Sequence, residues 1–270
     1  MEQVSNPGSA LGEAIGSLLE QEIHTLLRPI VEKHGAIYIT SPQEIIAKAR
    51  KKLILTDQDG NDYEVDAVIV NRRLQPLVLL ESKYIRYKKH NRDKASWICT
   101  AHTKLRTKFP TIRRSIAILM GSWSRPSKRL LVSFDVTIFE IGFERICKVL
   151  AEFGINYAWA EKDRDAAMQA WERFKGLTNE QRKEVARNLI SGIELELTSA
   201  IRKALDESVP QRVRRVTVAV ITERGETFTF HFATIQEAKE FLEKFDEDRY
   251  LDTSSATTLS LLTNRPRDGA

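Results

Sequence analysis

The sequence predicts a mixed α/β fold, and three observations carry that reading. Apolar residues recur at helical spacing from 9 to about 33. Two short apolar runs, Leu77-Val78-Leu79-Leu80 and Ile116-Ala117-Ile118-Leu119-Met120, have the unbroken hydrophobicity of buried strands. A helix-forming stretch separates them, so helix, strands, helix and strand follow one another.

Residues 1–8 read as loose chain. Leu11, Ile15, Leu18, Leu19, Ile23, Leu26 and Leu27 then mark the first helix, which Gly35 ends. Pro42 opens a short helical stretch carrying Lys48, Arg50, Lys51 and Lys52. A strand at 53–56, a polar turn at 57–62 with an Asp-Gly step, and a strand at 63–70 make a hairpin. A second turn at 71–76 leads into the buried run 77–80, giving three strands in succession. A basic helix from about 92 to 108 is closed by Pro110, the strand at 116–120 ends at Gly121, and 136–141 is a further strand. Phe143, Ile146, Cys147 and Leu150 mark the next helix, with Cys147 in its packing stripe. Helices follow at 163–175 and 178–207, the second opening on Thr178 and Gln181 at capping-box spacing. A hairpin of 216–221 and 227–232 and a helix capped by Thr234 form a ββα unit. That unit suits dimer contact, target recognition or simply a cover for the core. The Ser/Thr-rich end is expected to be disordered.

Composition narrows the function classes. The 270 residues are 42% hydrophobic and 29% charged, as in a soluble chain with a real core. Mean hydropathy is −0.34, and no apolar run approaches the ~20 residues of a membrane span. The start, Met1-Glu2-Gln3-Val4, lacks the basic-then-apolar plan of a secretory signal, so a cytoplasmic protein with no membrane partner is expected. Cys99 and Cys147 are too few for a disulfide framework or a four-thiolate zinc site, and the 5 histidines lack zinc-ligand spacing.

Charge is localised. Residues 83–114 carry eleven basic side chains and one acidic, Asp93, so this stretch is +10 in a chain of net +5 and the remainder is −5. A basic block inside an acidic protein suits a polyanion surface; a solvated helix face is the plainer account.

The residues that suit chemistry adjoin this block. Glu81 and Lys83, at i and i+2 of a strand, project to one face at the end of an apolar run. A tight turn from Asp66 places that aspartate beside Glu81, and Glu20 on the first helix is positioned to approach. Carboxylates set against apolar runs are costly unless paired or metal-bound. Two or three of them with one lysine suit a hard divalent cation that positions water and offsets charge on a scissile phosphate. Lys83 would stabilise developing charge or help deprotonate the attacking water.

Val65-Asp66, fourteen intervening residues and Glu81-Ser82-Lys83 resemble the signature of the PD-(D/E)xK nuclease superfamily, with Val65 where many members have proline. Glu20, within Leu18-Leu19-Glu20-Gln21-Glu22, resembles the acidic residue many members carry on the first helix, with Glu13 as the substitute. Lys104 and His102 stand near where some members supply a further residue from the second helix. The resemblance covers about 9–121 and implies a restriction-endonuclease-like core: helix, three-stranded antiparallel unit, helix, strand. It divides the chain into a nuclease-like core at 9–155, a helical extension at 156–208, a ββα subdomain at 209–250 and a tail at 251–270.

The function implied is a Mg²⁺-dependent DNA endonuclease, Mn²⁺ being an alternative ion, of restriction-modification or mobile-element type and acting as a homodimer. Glu20, Asp66 and Glu81 would hold metal and Lys83 would assist attack. Arg86, Lys88, Lys89, Arg92 and Lys94 would engage DNA phosphates. The rivals are a repair or junction-resolving nuclease and a non-catalytic nucleic-acid-binding protein on a degenerate nuclease fold. A second Glu-x-Lys, Glu237-Ala238-Lys239, lacks a preceding buried strand and reads as a solvated helix face. Tyr84, Tyr87 and Trp97 beside the block suit base stacking, though packing is the simpler account. Residues 122–129 read as a loop whose Ser and Arg side chains suit phosphate contacts.

Overall fold

The computed structural model describes residues 6–44, 52–87, 91–160 and 162–252. The first helix, α1 (Pro7–Lys33), starts where Asn6 caps the Ser9 amide and proline sits in the first turn. Leu11, Ile15, Leu19, Ile23, Leu27 and Val31 form its buried stripe. Four strands follow: β1 (Ile37–Ile39), β2 (Ile54–Thr56), β3 (Asp62–Glu64) and β4 (Ala67–Val70). Then come β5 (Pro76–Ile85), α2 (Asn91–Lys108), β6 (Arg114–Gly121), α3 (Arg125–Ser133) and β7 (Val136–Gly142).

The main sheet has the order β1-β4-β5-β6-β7. β1, β4 and β5 pair antiparallel, whereas β5, β6 and β7 are parallel, with α2 and α3 as crossovers. The fold is therefore α/β with a mixed sheet. Its first antiparallel strand is not the predicted 53–56 segment. That segment pairs with β3 in a separate two-stranded ribbon, and β1, only three residues long, takes its place in the sheet. The ribbon's turn is held by Asp57, whose carboxylate accepts from the amides of Asp59 and Asn61 at 2.9 Å.

Two layers cover the sheet. One face packs on α1 together with α4 (Phe143–Glu152), α5 (Arg164–Lys175), α6 (Asn179–Ile190) and α7 (Glu194–Leu205), through residues such as Ile69, Leu80, Ile118 and Ile141. The other face packs on α2 and α3 through Val68, Leu79, Ala117 and Leu119. The helix predicted over 178–207 is interrupted: α6 ends at Ile190, and Ser191-Gly192-Ile193 separates it from α7. Of residues 122–129 only 122–124 are loop: Ser124 caps α3, and Pro126 occupies its first turn.

Residues 207–252 belong to a second compact unit. In it β8 (Val216–Ile221) and β9 (Thr227–Phe232) pair antiparallel, and Phe230 and Phe232 pack on Phe241 of α8 (Ile235–Glu243) at 4.6 and 4.9 Å; α9 (Glu247–Tyr250) follows. Of the predicted tail, 253–270 lie outside the described residues. Among the described residues no helix is long and apolar enough to cross a membrane.

Candidate active site

β5 outruns its neighbour. The register sets Ala67 of β4 opposite Leu80, so Glu81 to Ile85 pair with β6 alone. Asp66 stands at the bend between β3 and β4, just where the antiparallel ladder stops. Its carboxylate fills the missing acceptor position, taking the Ser82 amide at 2.7 Å and the Ser82 hydroxyl at 3.2 Å. In return the Asp66 amide donates to Glu81 Oε2 at 3.4 Å. Lys83 Nζ lies 2.6 Å from Glu81 Oε1 and 3.2 and 3.3 Å from the two Asp66 oxygens. Residues 15 to 17 positions apart in sequence are thus drawn into one cluster.

Glu81 and Lys83 share the α2 face with Leu79 and Ile85. Glu81 is only 3% exposed, and burial together with the Asp66 charge pushes its pKa up to about 7, against the pull of Lys83. For Lys83, burial acts downward, but Glu81 and Asp66 outweigh it and the ammonium is held above its usual range. Two carboxylates therefore face one ammonium, leaving the cluster a net negative charge when both are ionised.

Glu20 is brought near but not into contact. Gly12 and Gly16 precede it at four-residue intervals, and a Cβ at either would meet Tyr84 at 3.1 and 3.3 Å. These glycines seat α1 against β5, and Glu20, one turn further on, feels the Lys83 charge. Its nearest partner is His24 at 3.5 Å, which lowers its pKa, and His24 in turn is hydrogen-bonded to the Tyr38 hydroxyl at 2.8 Å. The Glu20 side chain remains 40% exposed. Glu13 lines a different cavity, near the start of α1.

His102 is the inward residue of α2 on the stripe of Ile98 and Leu105. It is 2% exposed, neither ring nitrogen has a partner, and burial with the Arg106 and Lys83 charges pushes its pKa down to about 4. Lys104 points elsewhere, pairing with Asp59 of the ribbon at 2.7 Å.

The expected phosphate-binding residues divide. Arg92 and Lys94 are exposed on the first turn of α2, while Lys88 and Lys89 lie outside the described residues. Arg86 is not a surface group. It is 9% exposed, stacks on Trp159 at 3.7 Å and Tyr157 at 4.3 Å, and donates through Nη2 to both of their carbonyls. Trp97, expected to pack, is instead 48% exposed beside Tyr63. Tyr84 does pack, and its hydroxyl meets that of Tyr157. The roles of Tyr157 and Trp159 escaped the sequence reading, because only tertiary folding lays 155–160 over the end of β5.

As donors for a cation, Asp66 and Glu81 fit: both are hard oxygen ligands, and Glu81, whose pKa is raised first by burial and then by the Asp66 charge, is a carboxylate that a cation would help to ionise. Glu20 is not placed with them, since among the described residues no three His, Cys, Asp or Glu side chains converge closely enough to hold one ion.

No protein-family model matches the chain, and no curated protein matches it. A solved structure titled as a protein of unknown function, AF1548, is similar over 68% of this chain and 99% of its own, at 14% identity and a TM-score of 0.31.

Proposed function

We propose that the chain is a metal-dependent endonuclease that hydrolyses phosphodiester bonds in DNA, built on a restriction-endonuclease-like core of the PD-(D/E)xK type. The convergence of Asp66, Glu81 and Lys83 on the overhanging end of β5 carries this reading. Asp66 and Glu81 would hold Mg²⁺ or Mn²⁺, and Glu20 would join them only by giving up its contact with His24. A bound ion supplies charge stabilisation at the phosphate and a more acidic water. Lys83, held protonated by its two carboxylate neighbours, acts as an electrostatic partner for phosphate oxygens rather than as a proton acceptor. Arg92 and Lys94, at the start of α2, neutralise flanking phosphates.

The test is cleavage of plasmid DNA with Mg²⁺ or Mn²⁺. Activity should vanish in EDTA and in Asp66→Asn, and fall by roughly a hundredfold or more in Lys83→Met. One observation favours a second reading: Lys83 pairs with both carboxylates and so supplies them with a counter-charge from the chain itself. On that account the protein binds nucleic acid without cutting it. Tight, salt-sensitive binding with no cleavage under either metal would select it.

A further inference from the structure

Beyond Lys83 the chain enters a second environment. A cavity of about 640 Å³ lies between the amino ends of α1 and α5 and the carboxyl end of β5. Its volume is in the range of small-molecule sites. Arg86, Lys94, Lys162 and Arg164 line it, against Glu13 and Asp163, so it is net positive. Tyr84, Tyr87 and Trp159 supply aromatic wall.

Arg86 is the telling residue. Its guanidinium is buried, yet among the described residues no acidic side chain pairs with it; Nη2 donates to two carbonyls, while Nε and Nη1 have no hydrogen-bond partner among them. A buried cation held only by aromatic faces and carbonyl dipoles is incompletely compensated; Nε and Nη1 are enclosed as well as unpartnered, so an anion in the cavity would offset the Arg86 charge through space rather than by bonding to them. Two helix amino ends border the same space, those of the 27-residue α1 and the 12-residue α5. Asn6 and Asp163 cap one amide in each, on Ser9 and Ala166. The remaining first-turn dipoles favour negative charge. Anionic recognition beside exposed aromatic surface is the chemistry of a nucleotide, with phosphate on the cations and base on a ring.

We propose that this cavity binds the phosphate and base of one nucleotide. Resting on the nuclease reading, it holds a 5′-phosphorylated end of the nucleic acid strand whose backbone reaches Lys83. Lys83 faces α2 and Arg86, one residue past the end of β5, faces the α1 and α5 side, so a strand reaching both would round the end of β5, a path that starts from roughly 10 Å of backbone.

Calorimetric titration of the full chain in EDTA, where no cleavage occurs, tests this with deoxyadenosine 5′-monophosphate. Binding should be at least tenfold tighter than that of deoxyadenosine or inorganic phosphate, and at least tenfold weaker in Arg86→Met. Lys162→Ala, at an exposed position, should weaken it about threefold and serves if the Arg86 variant does not fold. A 5′-phosphorylated oligonucleotide should outbind its 5′-hydroxyl counterpart at least fivefold. Equal binding of the two oligonucleotides overturns the assignment to a strand end and leaves a free nucleotide as the ligand. Mononucleotide binding no tighter than phosphate, or unchanged in Lys162→Ala and in a folded Arg86→Met, overturns the pocket altogether. DNA cleavage without mononucleotide binding would reject the cavity alone; mononucleotide binding in a protein that never cuts would reject the nuclease reading alone.

Discussion

Glu81→Gln isolates the electrostatics of the site. In the folded protein the Glu81 carboxyl titrates near pH 7, against an ordinary value of 4.5, because it is buried beside Asp66. The folded state therefore keeps a proton that the unfolded chain has already released. Glu81's contribution is fully present below pH 4.5 and is lost as pH rises through 7. At 1.36 kcal/mol per pH unit of displacement, ionised Glu81 costs the fold about 3 kcal/mol well above pH 7. Glutamine keeps the shape without the charge. The stability of Glu81→Gln minus that of the wild type, measured by urea unfolding, should grow by about 2.5 kcal/mol between pH 5 and pH 8. His102 titrates in the same range but is common to both proteins, so it drops out of the difference. Mg²⁺ at pH 8 should raise the wild type and leave the variant unmoved, since ligand binding stabilises only the state that binds. A difference that stays flat within about 0.5 kcal/mol across this range would show that Lys83 fully balances Glu81, and the case for an unmet demand for positive charge would fail.

His102→Gln should act with the opposite sign: the imidazole titrates near pH 4 when folded and 6.5 when free, so the wild type loses about 3 kcal/mol as pH falls through that window. The variant should lack that dependence in urea titrations. Gly121 has φ +90°, and a Cβ there would sit 2.1 Å from the Ile85 carbonyl oxygen. Gly121→Ala should cost more than about 2 kcal/mol by thermal or urea unfolding, because both the backbone conformation and the β5–β6 contact resist it. Arg92→Ala with Lys94→Ala should weaken DNA binding in fluorescence titrations without regard to sequence and lower the slope of log affinity against log salt by about 2.

The cluster of Asp66, Glu81 and Lys83 was legible in the sequence because strand geometry is short-ranged. Glu81 and Lys83 are two residues apart at the end of an apolar run, and a tight turn suffices to return Asp66 to their side. The sheet around them was less legible. β1 has three residues between Gly35 and Pro42, too few for alternation to show, whereas β2 and β3 look like sheet strands and pair only with each other. The helix α3 hides in a polar run whose Ser124 and Pro126 are its start signals, and the helical stripe over 178–207 continues through the break at Gly192. Arg86 shows the limit most clearly. Its charge placed it on the surface with the lysines around it, and what buries it comes from Tyr157 and Trp159, more than seventy residues later.

The bond from the Ser82 amide to Asp66 has a bearing on solubility. An extended strand with a free side is a template onto which another chain can add, and natural proteins blunt such sides with charge or by occupying the exposed amides. Asp66 does both at the point where β4 begins. Truncating it to alanine would remove the blocking group along with the charge, and a change in the protein's behaviour could then be confused with self-association. Asparagine keeps an oxygen for the amide, which makes it the cleaner way to remove the charge.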